Sequence, residues 1–600
     1  MEKRYLKTVF ALLFAVAVSR CASANWLDEV RVNTETSGKQ ASRGSDCPWS
    51  LACGPDGRVH VIWEDRRTGR QLRIFYRGKS PSPTWNLWDP TDVNISPIDT
   101  TDLLGHPSIG ALDNGSIISV YTEEKPYGGE LCGTIWPAGF NSWNQPEFVS
   151  IPGGNYLTFT STGWQTTIAT NGHRAVTFWP YVGDSLNGHR PIFYRRYDHS
   201  TWESTERPLE LPGLGLLYDA KNLSAVWAIT DTVYLAFAAI TAAQPIYNIY
   251  FVKLHFVSAE ICLFERVTDD SVISAQFPYA SRFPTAHGDD IYISYTEYGH
   301  MAKAKLAVKR HDFPGWTTGV DIVGDSVSSA YPCLAFNPHG WLDLAYEVPA
   351  NEPNSQIFHR RYYPESGSFG PDERVSEGRH FSKRPVVACD KYGNVHIIYI
   401  SNRIHPEIFG DEEVYYRMFD SPPLKPTDVF VDGDTLRWNY PDLPDFRVFV
   451  IFHISAAETT MIGSTRNRYF RQVIGPDAVF GVRALDLNYQ ASPLAISQSP
   501  SDIPPESPRA ADFALGLNYP NPFNRSTVIP IVNPSAQPAT IEIIDICGKL
   551  LRRLEITPGQ NRVLWDGKNA AGSPVVSGRY FYRGVQNDLA TRPQMMILVK

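Results

Sequence analysis

The chain has 600 residues, 43% hydrophobic, 12% aromatic and 20% charged, too apolar and too weakly charged for a disordered chain and long enough for several domains or one large repeat with appendages. Lys and Arg number 55 against 63 Asp and Glu, a net charge of −8; displacing phosphate counterions needs a basic face, so a general nucleic-acid binder is excluded. Strand-forming aromatics (30 Tyr, 30 Phe, 15 Trp) and turn-forming residues (46 Pro, 43 Gly) are both abundant, so an all-β chain is expected.

Residues 1–24 read as a secretory signal peptide. Lys3, Arg4 and Lys7 precede the apolar run Val9 to Val18, and Ala22-Ser23-Ala24 places small residues at the −3 and −1 positions of a cleavage site. The expected location is secreted or attached to the outer surface. No later segment has the ~18 apolar residues of a transmembrane helix. After Cys21 come Cys47, Cys53, Cys132, Cys262, Cys333, Cys389 and Cys547. The number is odd and no CxxC pair occurs, so a disulfide framework, a zinc site or another cofactor is not indicated. Cys47 and Cys53 are the only local pair; most of the thiols are expected to pack as small apolar groups.

Residues 26–418 carry a repeat: Gly or Asp, five strand-forming residues, then an aromatic. It runs from Gly57 to Trp63, Gly115 to Tyr121, Gly172 to Phe178, Asp231 to Phe237, Asp289 to Tyr295, Gly340 to Tyr346 and Gly393 to Tyr399. Successive starts lie 58, 57, 59, 58, 51 and 53 residues apart, the period of propeller blades, in which one unit cannot bury its own face. An apolar strand precedes each turn, often led by Pro, as at Pro107, Pro332 and Pro385. A third strand follows, as in Ile74-Phe75-Tyr76-Arg77 and Val414-Tyr415-Tyr416-Arg417, and then a polar fourth strand led by Trp or Phe.

The ends decide the architecture. Seven three-strand units but only six outer strands lie between Trp85 and Val375, and the last unit runs straight into Ser421-Pro422-Pro423. The missing strand is at the front: Trp26 to Val32 resembles Phe369 to Val375. The N-terminal segment is therefore expected to complete the blade of residues 384–418, closing the ring and removing an open sheet edge. An open solenoid is the alternative. His60 and His396 occupy matching strand positions and are expected to be packed or hydrogen-bonded rather than metal ligands.

Two smaller β-domains follow. In residues 421–498, Trp438 sits on an early strand and Val482-Arg483-Ala484-Leu485-Asp486 on a late one; the stretch resembles a fibronectin type III domain, an immunoglobulin-like sandwich. Asp432-Gly433-Asp434 reads as a hairpin turn. Residues 499–510 are a Ser/Pro-rich linker. Residues 511–600 open with Asn518, Tyr519, Pro520, Asn521, Pro522, Phe523 and Asn524, continue through Trp565, Asp566 and Gly567, and reach Gly578 and Tyr580 before the apolar end Met595 to Val599. This stretch closely resembles the type A C-terminal sorting domain of the type IX secretion system, an Ig-like fold, with Gln594 where the family usually carries a basic residue. The resemblance implies export across the outer membrane, with the secretion machinery as partner. The fold class expected for the whole is all-β: a seven-bladed β-propeller over residues 25–420, then two Ig-like β-sandwich domains.

Propellers bind or react where loops converge at the channel mouth. The blade rhythm resembles sialidase-like propellers, whose family chemistry implies an arginine cluster for a carboxylate, an Asp acid/base and a Tyr nucleophile; the family's Asp-box is not intact anywhere in this sequence. The candidate mouth residues are Arg66, Arg67, Arg282, Glu297 and Arg384, with Arg suited to holding a carboxylate bidentately. The leading expectation is a non-enzymatic propeller that binds an extracellular glycan or protein. A sialidase-like glycoside hydrolase and a structural adhesion component stay open. A mouth rich in Arg and carboxylates would favour the hydrolase; an aromatic mouth poor in charge would favour binding.

Overall fold

In a computed structural model, the described residues are 25–599 apart from 35–48, 66–71, 81–86, 97–102, 126–127, 140–141, 151–165, 182–190, 199, 214–216, 229–230, 270, 286–287, 314, 325–326, 350–354, 378–379, 404–411, 433, 443–445, 456–458, 472–478, 487–489, 498–513, 516–517, 519–520, 522, 533–538, 546–549, 558–559, 561, 587–588 and 591–593. The signal-peptide region 1–24, the linker 499–510 and Cys21, Cys47 and Cys547 thus lie outside the described residues. Every regular element among those described is a β-strand.

Seven antiparallel sheets follow one another in chain order. Blades 1 to 6 span residues 49–94, 103–148, 167–208, 217–266, 275–321 and 330–374, each running from an inner strand to a short outer one. Blade 7 takes its first three strands from Ser382–Cys389, Val395–Ser401 and Glu413–Asp420, and its outer strand from the front of the chain. Asn25 pairs with Asp420, Trp26 with Phe419, Val30 with Tyr416 and Arg31 with Tyr415. The protein is a seven-bladed β-propeller closed by its N-terminal strand, and the open solenoid is ruled out.

The third-strand arginines reveal why these residues close the ring. Arg417 Nε donates to Leu27 O at 2.8 Å, as Arg77 Nε does to Asp89 O, Arg195 Nε to Glu203 O and Arg360 Nε to Gly370 O within their own blades. Each guanidinium also reaches the outer strand of the preceding blade: Arg195 to Val149 O, Arg360 to Ile322 O, Arg417 to Val375 O, and Arg77 to Val32 O. The N-terminal segment is thus gripped from both sides, as the outer strand of blade 6 is by Arg360 and Arg417. Just beyond, Asn33 Oδ1 accepts from Val414 N, the part that Ser150 Oγ plays for Leu131 N and Ser376 Oγ for Ile357 N.

Packing repeats the pattern. Among the described residues each seam between neighbouring blades has its own apolar cluster, including the seam between blades 7 and 1, where Val32, Val61, Trp63, Ile398 and Tyr416 are fully buried. Each such side chain contributes about 1.5–3 kcal/mol relative to exposure. At the seam between blades 6 and 7, Trp26 sets its ring edgewise against His359 and Phe419, at 5.1 and 5.3 Å, and donates to Glu373 Oε2 at 3.1 Å. Behind it the fully buried Asp343 accepts from His359, Arg361, Asn337 and Trp341. Cations and hydrogen bonds on every side hold its carboxyl down to about 2, and the two carboxylates push His359 up.

His60 and His396 are packed as expected, each with Nδ1 against a third-strand tyrosine, Tyr76 at 2.9 Å and Tyr416 at 2.7 Å. Cys53, Cys132, Cys262, Cys333 and Cys389 are free thiols; Cys132 and Cys333 are buried as expected, whereas Cys262 is exposed because it faces outward from a blade's outer strand.

Residues 427–496 form a sandwich. Thr427–Asp432, Thr435–Asn439 and Tyr469–Arg471 make one sheet; Thr459–Thr465, Phe446–Ile454, Val479–Asp486 and Ala495–Ile496 make the other. Three strands facing four, in this order, is an immunoglobulin-type arrangement. Trp438 is buried in its core, edge-on to Phe449 at 5.0 Å, and Asp432 pairs with Thr435 across the expected hairpin.

The unit of residues 498–600 is a second sandwich. One sheet holds Ala514–Leu515, Thr527–Val532 and Arg562–Trp565; the other holds Leu550–Ile556, Ala539–Asp545 and Gly578–Gln586, with Leu589–Ala590 and Gln594–Leu598 both on Gly578–Gln586.

Candidate functional site at the mouth of the axial channel

The inner strands of all seven blades line a cavity of about 220 Å³, with walls that include Ser50, Ser108, Thr167, Ser224, Tyr279, Cys333 and Val386. An inner strand has no neighbour in its own sheet on the channel side, so its N–H groups need partners. In blades 2 to 5 a hydroxyl of the preceding blade supplies one. Ser50 Oγ accepts from Ile109 N at 3.4 Å, Ser108 Oγ from Ile168 N at 3.2 Å, Thr167 Oγ1 from Ala225 N and Ser224 Oγ from Ala280 N, both at 3.0 Å. In blades 5 to 7 the residues at the register of Ser108 are Tyr279, Cys333 and Val386. The channel therefore has a hydroxyl-lined side and an apolar side.

At one end of this channel five blades share one distortion. The inner strand slips by one residue between Gly105 and Ser108, Lys221 and Ser224, Gln276 and Tyr279, Ala330 and Cys333, and Lys383 and Val386. The single residue opposite each slip is the aromatic of the repeat: Tyr121, Phe237, Tyr295, Tyr346 and Tyr399. The first bulge residue is left-handed each time, with φ of 52° at His106, 53° at Asn222, 56° at Phe277, 48° at Tyr331 and 53° at Arg384. For a side chain other than Gly this costs about 1–3 kcal/mol and persists only where the surroundings enforce it. Here they do: His106 N donates to Glu64 Oε1 at 2.7 Å, Tyr331 N to Thr296 Oγ1 at 2.9 Å and Arg384 N to Glu347 Oε2 at 3.2 Å. Each acceptor belongs to the second strand of the blade before.

The bulges re-aim these side chains at the mouth. On the apolar side, Phe277 and Tyr331 have ring centroids 4.6 Å apart, Tyr298 stands edge-on to Phe277 at 6.3 Å, and the Arg384 guanidinium lies over Tyr331 at 5.3 Å. All four are partly exposed. Behind them Glu347 is buried, and burial pushes its carboxyl up to about 7 against the opposing pull of Arg384 and Lys383. His106, buried on the other side, is held down to about 4 by the same cause.

Of the expected mouth residues, Arg384 lines the cavity. Glu297 is at the same end, paired with Ala275 one position before the bulge, and its Oε2 is 3.8 Å from Lys305 Nζ. Arg282 does not join them. It lies five residues beyond Phe277 on the same inner strand, at the register of Ile291, with Nη1 3.4 Å from Asp289 Oδ1. The mouth position is the residue directly before the Pro at the bulge, which in blade 5 is Phe277 before Pro278, whereas Arg282 lies two residues before Pro284. Arg66 and Arg67 lie outside the described residues. Sequence reading missed Phe277 and Tyr331, and noticed Glu347 only as one of several acidic residues that follow the second-strand aromatics. The signal for the two aromatics was the residue preceding the inner-strand Pro in blades 5 to 7; Pro lacks the N–H that the slipped ladder could not use.

In the C-terminal unit the expected sorting residues have structural work. Asn518 is buried, donating from N to Tyr582 Oη and from Nδ2 to Thr527 Oγ1, both at 2.9 Å. Phe523 is buried against Trp565, which meets Tyr580 edgewise. Phe523 also bridges in parallel to Leu598, and Asn521 Oδ1 accepts from Ile597 N. Asp566 pairs with Arg552 at 2.7 Å. Gly567, at φ 66°, lets Val575 N reach its carbonyl. Gly578 opens the strand that pairs with Leu598. Asn524 is exposed. Pro520 and Pro522 lie outside the described residues.

No protein-family model matches this chain, and no curated protein does. Among solved structures it is similar to a protein of unknown function from Dyadobacter fermentans, at 12% identity and a TM-score of 0.42, over 66% of this chain and 99% of that one. It is similar also to an α-L-arabinanase of Penicillium chrysogenum complexed with arabinobiose, at 11% and 0.38, over 66% and 98%. A third is the leech intramolecular trans-sialidase, at 10% and 0.37, over 66% and 70%. At these identities and scores the likenesses carry no argument about what this chain binds; the fold stands on its own strand order.

Proposed function

We propose that the protein is a glycan-binding propeller whose site is the mouth of the axial channel. The observation that carries this is the partly exposed pair Phe277 and Tyr331, continued by Arg384, at the rim of the channel cavity. A sugar ring offers an apolar C–H face for stacking and hydroxyls at its edge. The aromatic side of the mouth meets the first need and the hydroxyl-lined side the second, the usual composition of a small-ligand site. Binding fits better than hydrolysis of the two-carboxylate kind. Glycosidases of the two-carboxylate kind place their carboxyls on either side of a scissile bond, whereas Glu64 and Glu347 are buried and hold bulge N–H groups.

The test is a glycan array with the full chain, followed by titration of any hit against Phe277→Ala and Tyr331→Ala. Losing a stacking ring removes about 0.5–1.5 kcal/mol beyond area burial, so with the lost burial a drop of about tenfold is expected for each. Full affinity in both variants would sink the assignment. Turnover of a fluorogenic sialoside would favour the hydrolase instead.

For the C-terminal unit we propose an export and sorting role through the type IX machinery, placing the protein at the outer surface or in the medium. Its support is the sequence resemblance, together with the way the matching residues Asn521 and Phe523 grip the final strand. Removing residues 498–600 should then leave the protein inside the outer membrane; unchanged surface display would refute the role.

A further inference from the structure

We infer that the mouth takes the interior of an extended chain of neutral sugars rather than a single chain end, laid across an aromatic floor on blades 5 and 6 and against a raised wall on blade 4. This rests on the glycan-binding reading and names the form of the glycan. The floor is Phe277, Tyr298 and Tyr331. The wall is a matter of strand length. Leu217, which opens the inner strand of blade 4, lies five residues before the bulge residue Asn222, whereas the inner strands of blades 2, 5, 6 and 7 begin only one to three residues before theirs. Blade 4 thus carries about 15 Å of strand past its bulge, and its second strand runs alongside to Thr241. A second slip, between Leu217 and Asp219, leaves Tyr218 outside the ladder and 41% exposed.

Beside Tyr218 the wall is polar. Tyr247 Oη donates to Asp219 Oδ2, and Lys221 Nζ stands 3.9 Å from the centroid of the Tyr247 ring. Asp219 Oδ1 has no hydrogen-bond partner among the described residues. A carboxylate oxygen accepts and an ammonium donates, so Asp219 and Lys221 together suit neighbouring hydroxyls of a sugar. Wall and floor are joined: Ala275 N donates to Tyr247 O at 2.8 Å, and Phe277 follows two residues on. None of Tyr218, Asp219, Lys221, Tyr247 and Tyr298 lines the cavity. A ligand confined to the cavity would leave them unused, whereas a chain running past it meets them in turn. Charges along this path come in both signs, Asp219 with Lys221 and Glu297 with Lys305 at 3.8 Å, which complements a chain without net charge.

The experiment is calorimetric titration of the full chain with β-1,4-linked oligomers of glucose, xylose, mannose and galactose, each of two, four and six units, and with a galacturonate hexamer. In a series that binds, the hexamer should bind about tenfold or more tightly than the dimer. Tyr218→Ala, at an exposed position, and Lys221→Ala, checked by its melting curve, should each lower the hexamer's affinity about fivefold, the loss of one contact of this strength, and the dimer's by less. A dimer as tight as the hexamer, or a Tyr218→Ala protein that weakens both lengths equally or neither, overturns this inference and leaves the glycan reading standing. A galacturonate hexamer that binds more tightly than every neutral hexamer overturns the neutral preference. No binding by any oligomer overturns the glycan reading and this inference with it.

Discussion

Replacing Trp26 by Ala tests the closure of the ring. Trp26 is partly buried, touches His359 and Phe419 and donates to Glu373. Trp-to-Ala changes in cores cost about 3–5 kcal/mol, and partial exposure puts this one near the lower bound. The loss falls on a single short strand rather than on the whole propeller, so it should be read locally. At about 1.4 kcal/mol per decade, 3 kcal/mol corresponds to about a hundredfold rise in local opening. Amide hydrogen exchange by mass spectrometry should therefore quicken by about two orders of magnitude in peptides covering 25–33 and along the edge of 413–420 that they cover. The inner strands of blades 2 to 5 should exchange as before. A Trp26→Ala protein with unchanged protection in both segments would refute the argument that this strand is held by these contacts.

Two further outcomes follow from buried groups and backbone. Burial holds His60 near 3 and both His106 and His339 near 4, so all three are neutral when folded and gain protons on unfolding. Their contribution is fully present above the ordinary imidazole value of about 6.5 and is lost as pH falls toward 4. The melting temperature should drop steadily between pH 6.5 and 4.5, and less steeply in His60→Gln; a flat profile over that range contradicts the assignment. Gly340 and Gly393 have φ of 93° and 90°, but a Cβ at Gly340 meets open space, whereas at Gly393 it comes within 2.4 Å of His339, whose ring is stacked on Trp341. Gly340→Ala should cost about 1 kcal/mol and Gly393→Ala about 2 more, by urea unfolding; equal costs would refute the steric account.

The ring was legible in the sequence because closure depends on a local pattern. Trp26 to Val32 resembles Phe369 to Val375 since both present an apolar residue whose carbonyl meets a third-strand arginine, Val32 for Arg77 and Val375 for Arg417. Blade period and the packed pair His60 and His396 were legible for the same reason: equivalent positions share surroundings. The mouth was not, because one backbone position carries His106, Asn222, Phe277, Tyr331 and Arg384, which have no chemistry in common. What they share is a slipped register, and a slip depends on the strand opposite. Arg282 and Arg384 both stand shortly before an inner-strand proline, yet five register positions separate their sites. Glu347 follows its repeat aromatic within two residues, as Glu64, Glu123 and Glu297 follow theirs, so the sequence did not single it out; its importance arises from a neighbouring blade's bulge.

The joint at blade 7 has a mechanical consequence. The chain leaves the propeller at Asp420, at the end of a strand flanked on one side by Val395–Ser401 and on the other by the chain's own beginning. Tension applied through whatever follows Asp420 acts along that strand, so its cross-links on both flanks are loaded together in shear instead of peeling one after another. A protein pulled from its distal end would hold the rim of its channel mouth intact until this doubly anchored strand slid as a whole.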